Sequence, residues 1–321
     1  MKINVISFLD PNVFHGGGEM ITRSLFVTAL SRGHDVKISS VRPSQENFHD
    51  KPDLSIFVDV YNSGHTIASL GFWRGFRKRF IEDMKSLGPF VHMTNAYVDI
   101  CNLPYLPCSG QSDDFACPVK HKLSLIKKTM IRDFGNTCFV MRDHVRSLYE
   151  DAVLNVYLSP LHKEVTQKLL GSDVLPESYL LSPMIDTKIF RNMGLERDID
   201  YLFVGIISEA KGLSEIREKY QDENVHFVGL VSPDVDLDFG TYHGHVSYTD
   251  IPLYMNRAKN FLFLPRWQEP QGRVVSEAAL CGCNIVGNKN VGALSFGMDL
   301  SAAANYEGVE EKFWLKLESL I

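Results

Sequence analysis

The sequence predicts an α/β chain of two doubly wound domains, and three observations carry that prediction. Strand and helix patterns alternate along the chain, a glycine-rich loop follows the first strand and opens a helix, and a fresh apolar strand starts after the charged linker RNMGLERDID at Arg191. At 321 residues the chain can bury two cores. An apolar content of 45% with 22% charged residues is that of a globular protein in water, and a net charge of −6 argues against a dedicated nucleic-acid binder.

In the first half, Lys2 to Phe8 reads as a buried strand, DPNVFHGGGE as a loop, and Met20, Leu25, Val27, Ala29 and Leu30 as the apolar positions of a helix. Gly33 then gives a turn and DVKISS a second strand, completing a βαβ unit. Gly16, Gly17 and Gly18 let backbone amides approach a ligand, as phosphate-cradling loops do, although Glu19 to Ile21 depart from the dinucleotide fingerprint. Further strands are expected in KPDLSIFVDVYN, GPFVHMTNAYVDIC, NTCFVMRD and AVLNVYLS. Two basic segments stand out. Residues 73–80 interleave Arg74, Arg77, Lys78 and Arg79 with aromatics, and residues 120–132 place five cations around an apolar stripe. Both read either as solvated faces or as peripheral contacts with anionic membrane.

The apolar N-terminal run ends at Asp10 and Pro11, too early for a signal-peptide core, and no segment reaches eighteen consecutive apolar residues. Six cysteines without an export signal read as reduced thiols, so a cytoplasmic location is expected. Cys101, Cys108 and Cys117 lack the C-x-x-C pairing of zinc modules, and His243 and His245 lack a nearby third ligand, so no metal site is expected.

The chemistry concentrates in RWQEPQGRVVSEAALCGCNIVG, Arg266 to Gly287. Glu269 and Glu277 lie eight positions apart, with Pro270 and Gly272 between them placing Glu269 on a loop. SEAALCG reads as a helix closed by Gly282, with Glu277 early in it. Unpaired amides at a helix start suit phosphates, and carboxylates accept hydroxyl hydrogen bonds, so the pair suits a sugar nucleotide. A plain helix N-terminus with ordinary acidic residues is the simpler alternative.

The string resembles the E-x-x-x-x-x-x-x-E signature of family 4 retaining glycosyltransferases, with Glu269, Pro270, Gly272, Glu277, Ala278, Ala279, Cys281, Gly282 and Val286 in place. GGGEMITRSLFVTALSRGHDV resembles that family's opening element, and Gly205, Lys211 and Gly212 its G-R-x-x-x-x-K-G phrase. The resemblance implies a GT-B fold: two facing Rossmann-like domains, 1–182 and 183–303, with the ligand in the interdomain cleft and a C-terminal helix, 304–321, packing back on the first domain. It implies retaining transfer from a UDP- or GDP-sugar to a hydroxyl of a glycan or lipid-linked acceptor, with no metal required. Glu269, Lys211 and Asn95 take the catalytic positions, and Gly17, Gly18, Gly205, Lys211, Arg266, Gln271, Gly272, Arg273, Val274 and Glu277 the donor-binding ones.

Two positions depart from the pattern. Asn95 stands where the family has His and cannot move protons, and Ile206 stands where it has the phosphate-facing Arg. Arg266 and Arg273 flank the Glu269 loop as candidate replacements. The departures keep two other readings open: a sugar-nucleotide epimerase of the same fold, and a non-catalytic protein that binds a sugar nucleotide.

Overall fold

The structure is a computed structural model that describes residues 1–14, 16–42, 47–60, 81–101, 106, 143–171 and 177–321. The basic segments 73–80 and 120–132, the expected strand in NTCFVMRD, and Cys108 and Cys117 lie outside the described residues, apart from Asp143. Two compact units divide the chain: Met1–Leu158, Lys163–Leu181 and Gly308–Ile321 form the first, Ser159–His162 and Ser182–Glu307 the second.

Unit 1 carries β1 (Lys2–Leu9), α1 (Gly17–Ser31), β2 (Asp35–Arg42), β3 (Leu54–Val58), β4 (Phe90–Met93), α2 (Asp143–Glu150) and β5 (Leu154–Tyr157). It continues with most of α3 (Pro160–Leu170), then β6 (Ser178–Leu180) and α7 (Val309–Glu318). Its six strands are ordered β2-β1-β3-β4-β5-β6, and all pairs are parallel. Central strands of such a sheet are covered on both faces, which is why β1 buries six consecutive residues from Ile3 to Phe8. Of the two polar side chains among them, Ser7 donates to the Leu9 carbonyl at 2.6 Å, and Asn4 is satisfied by the His49 backbone, donating to its carbonyl at 3.0 Å and accepting from its N–H at 2.7 Å.

Helix α1 buries Ile21, Thr22, Leu25 and Ala29, the four-residue rhythm of one helical face. Val27 and Leu30, expected on the apolar stripe, are 54% and 47% exposed because they fall off that face. Helix α7 lies against α1: the fully buried Trp314 donates its indole N–H to the Leu25 carbonyl at 2.9 Å, and Ser24 donates to Glu310 at 2.9 Å. Val309, Phe313, Trp314 and Leu317 form its buried face, and large apolar side chains of this kind each contribute about 1.5–3 kcal/mol by leaving water.

Unit 2 carries β7 (Ile199–Val204), a 3₁₀ turn at Glu209–Lys211, α4 (Leu213–Tyr220), β8 (Val225–Val228), β9 (Thr241–Tyr242), α5 (Ile251–Arg257), β10 (Ala258–Phe263), α6 (Arg273–Leu280) and β11 (Asn284–Gly287). The parallel strand order is β11-β10-β7-β8-β9. Phe203, Phe227, Phe261 and Val275 sit in one core between sheet and helices.

Each order has a reversal point. In unit 1 the chain leaves β1 toward β2 on one side and reaches β3 on the other; in unit 2 it leaves β7 toward β8 and later returns to β10. Open parallel sheets bind ligands outside the strand ends at such points. Among the described residues, no helix is long and apolar enough to cross a membrane.

Candidate functional site

At the reversal point of unit 2, the loops after β7 and β10 meet through backbone. Gly212 lies so close to the Leu264 carbonyl that any Cβ there would collide with it, and its φ of 91° is one that glycine adopts without strain. The loop after β10 is pinned on its other side: Glu269 N–H donates to the Asn290 carbonyl at 2.8 Å, and Gly292 N–H to the Glu269 carbonyl at 3.0 Å. The Ser159 hydroxyl donates to the Pro270 carbonyl at 2.5 Å. Glu269 is therefore held by a fixed backbone.

Its carboxylate pairs with the Lys211 ammonium, and each side chain is 15% exposed. Lys211 Nζ also stands 5.4 Å from the ring centroids of both Phe263 and Trp267. Two residues named from sequence 58 positions apart thus form one unit.

Helix α6 starts at Arg273, three residues before the expected SEAALCG segment, behind a left-handed Gly272 with a φ of 70° that supplies no side-chain cap. The earlier start makes Arg273 and Glu277 helical neighbours. The Arg273 Nε donates to Glu277 Oε1 at 2.9 Å, and the Tyr248 hydroxyl donates to the same oxygen at 3.0 Å while accepting from the Arg273 guanidinium. Glu277 is buried; desolvation pushes its carboxyl above the usual range, opposed by Arg273 and by the Tyr248 hydrogen bond. Burial, with the Glu277 charge adding to it, also pushes the Tyr248 phenol up.

Tyr248 was not among the residues singled out from sequence. Only the folded approach of the loop before α5 to α6, across 29 positions, reveals it. Arg266 is 54% exposed and lies 3.3 Å from Glu209. Gln271 is buried, Val274 packs against the core, and Gly205 donates its N–H to the Val228 carbonyl at 2.9 Å. Ile206 is 50% exposed, and the adjacent backbone, Ile207 N–H to the Leu230 carbonyl at 2.8 Å, sets it near the 56% exposed Leu230. Lys211, Arg266 and Arg273 therefore each face a carboxylate, while the position of the family Arg is an exposed apolar side chain.

Unit 1 has its own site at the β1/β3 reversal point. Gly17 and Gly18 belong to the first turn of α1, not to a loop, because the extended Gly16 already ends the loop. A Cβ on Gly18 would come within 2.6 Å of Asn95 Cβ, so glycine there admits the Asn95 side chain. Asn95 is clamped by Asp59, to which it donates its backbone N–H at 2.9 Å and its Nδ2 at 3.0 Å. Asp59, just past β3, has a φ of 52°. Among the described residues, no group of three or more His, Cys, Asp or Glu side chains comes together as metal ligands would.

The arrangement can be set beside known structures. Sucrose-phosphate synthase from Thermosynechococcus elongatus matches over 100% of this chain and 95% of its own, with a TM-score of 0.58 and 12% identity. HepE from Anabaena, in complex with UDP, matches over 99% and 100%, with a TM-score of 0.58 and 12% identity. The α-glucosyltransferase AGT, in complex with UDP, matches over 100% of both chains, with a TM-score of 0.51 and 12% identity. The fold is GT-B. At such identities the likeness carries the fold alone. No protein-family model matches the sequence, and no curated protein matches it. In GT-B terms, unit 2 holds the Lys211–Glu269 and Arg273–Glu277–Tyr248 groups, and unit 1 the Asp59–Asn95 clamp.

Proposed function

We propose that this GT-B protein is a retaining glycosyltransferase that moves a sugar from a UDP- or GDP-sugar to a hydroxyl of a glycan or lipid-linked acceptor. The single observation that carries the reading is the Lys211–Glu269 pair beside the uncapped start of α6, at the reversal point of unit 2. In this reading Glu269 accepts hydrogen bonds from the donor sugar hydroxyls, and Glu277, oriented by Arg273 and Tyr248, accepts them from the ribose. The amides of Arg273 and Val274 and the Lys211 ammonium meet the diphosphate. As the glycosidic bond to the diphosphate breaks, charge builds on the leaving oxygen, and these groups stabilise it without a metal ion. The acceptor hydroxyl attacks on the same face and loses its proton beside the departing phosphate, so no protein nucleophile is used.

A thermal-shift series with UDP, GDP and their sugar conjugates tests the donor assignment. Ligand at a hundred times its Kd adds about 2.7 kcal/mol of stability, a rise readily measured; no shift with any of them contradicts the reading. Exposed Ile206 favours a second reading, a non-catalytic binder of sugar nucleotides. Stabilisation by a sugar nucleotide, with no release of UDP or GDP in the presence of any glycan acceptor, selects it.

We further propose a cytoplasmic protein that touches anionic membrane through residues 73–80 and 120–132, on the strength of the cations and aromatics interleaved in the first and the five cations around an apolar stripe in the second. Sedimentation with phosphatidylserine vesicles at low salt checks this, and protein left wholly in the supernatant would sink it.

A further inference from the structure

An ionised carboxylate has two oxygens and about four lone-pair positions, and the two neighbouring hydroxyls of a ribose can engage it together, one donating to each oxygen. In this protein one oxygen of Glu277 is already filled. Oε1 accepts from Arg273 Nε at 2.9 Å and from the Tyr248 hydroxyl at 3.0 Å, one donor for each of its lone pairs. Among the described residues, both donors to this carboxylate fall on Oε1.

The filling is fixed by the fold. Arg273 lies one helical turn before Glu277 because α6 opens at Gly272, and its guanidinium also donates to the Tyr248 hydroxyl, closing a triangle of three side chains. Arg273 Cζ stands 5.5 Å from the centroid of the Tyr248 ring, and that ring meets the fully buried Phe190 edge to face at 5.2 Å. The Arg273 and Glu277 side chains are 15% and 6% exposed, a setting in which charge-assisted hydrogen bonds hold firmly. A ribose hydroxyl that displaced Tyr248 from Oε1 would exchange one hydroxyl hydrogen bond for another and leave the Tyr248 hydroxyl without its acceptor. No affinity is gained by that exchange.

We infer that Glu277 recognises one ribose hydroxyl of the donor nucleotide, through Oε2, and not both. With the side chain so nearly enclosed, Oε2 is open to a single donor. Arg273 and Tyr248 are the positioning residues: by occupying Oε1 they set how much of the ribose the carboxylate reads. The inference rests on the proposed donor reading, which places ribose at Glu277, and it widens the donor class to nucleoside diphosphates that carry only one of the two ribose hydroxyls.

Calorimetric titration of the full chain counts the hydroxyls, with UDP and GDP as probes, each beside its 2′-deoxy and 3′-deoxy form. For the nucleotide that binds, loss of one hydroxyl should weaken affinity about 10–100-fold, as loss of a hydrogen bond to a charged group does, and loss of the other less than about threefold. Glu277→Gln keeps an oxygen for Arg273 and Tyr248 and puts an NH2 group in place of the accepting Oε2, so the larger penalty should shrink several-fold in that variant. Three results overturn the inference: a penalty of tenfold or more for each hydroxyl, no penalty for either, or a large penalty that Glu277→Gln leaves in place. In each of them the parent nucleotide still binds, and the donor reading stands. Failure of both UDP and GDP to bind the wild type contradicts the donor reading itself and removes this inference with it.

Discussion

The reversal points of the two sheets occupy the same topological place and carry different electrostatics. In unit 2, Lys211 faces Glu269 and Arg273 faces Glu277, so positive and negative groups stand side by side for a ligand that has both phosphates and hydroxyls. In unit 1, Glu19 and Asp59 line a cavity at that point, and among the described residues no Lys or Arg lines it. Topology therefore says where a ligand binds, and the side chains on the loops say which kind.

Lys211→Ala should break the contrast most. It removes the largely buried cation that a leaving diphosphate needs and strands Glu269, so donor turnover should fall on the order of 100-fold. Release of UDP or GDP from the sugar nucleotide measures it. Tyr248→Phe removes one hydrogen bond to Glu277 with little change in shape, and UDP affinity by calorimetry should weaken about 3–10-fold.

The pH dependence sharpens the same point. Glu277 binds hydroxyls best when ionised, and burial holds its carboxyl above the usual range. UDP affinity should be flat above that raised pKa and fall as pH drops through it. Arg273 opposes the rise, so Arg273→Gln should move this acid limb to higher pH; an unmoved limb in a calorimetric pH series would show that Glu277 titration is not what it reports. Arg266→Ala should do least. Its exposed contact with Glu209 is screened by water, and donor turnover should change less than about twofold.

Much of this was legible in the sequence. The apolar runs of β1, β7 and β10 and the turns around them gave the alternation, because buried parallel strands must be apolar on both faces. Pro270 and Gly272 marked Glu269 as a loop residue, and Lys211 was named by its setting in GIISEAKG. The start of α6 was not legible: the glycine and RVV that precede Ser276 carry no side-chain capping signal, and the helix opens instead on a left-handed Gly272. Tyr248 and Asp59 were invisible for a different reason. Their roles arise from partners 29 and 36 positions away, and no local periodicity encodes such a meeting.

The central claim is that unit 2 binds the nucleotide through Glu277 and its partners while the unit 1 cavity takes no part. Calorimetric titration of UDP into the wild type, Glu277→Ala and Asn95→Ala tests it most directly. The account predicts saturable binding to the wild type, affinity about 10–100-fold weaker in Glu277→Ala, and an unchanged Kd in Asn95→Ala. Equal UDP affinity in the wild type and Glu277→Ala, or loss of binding in Asn95→Ala, would contradict it.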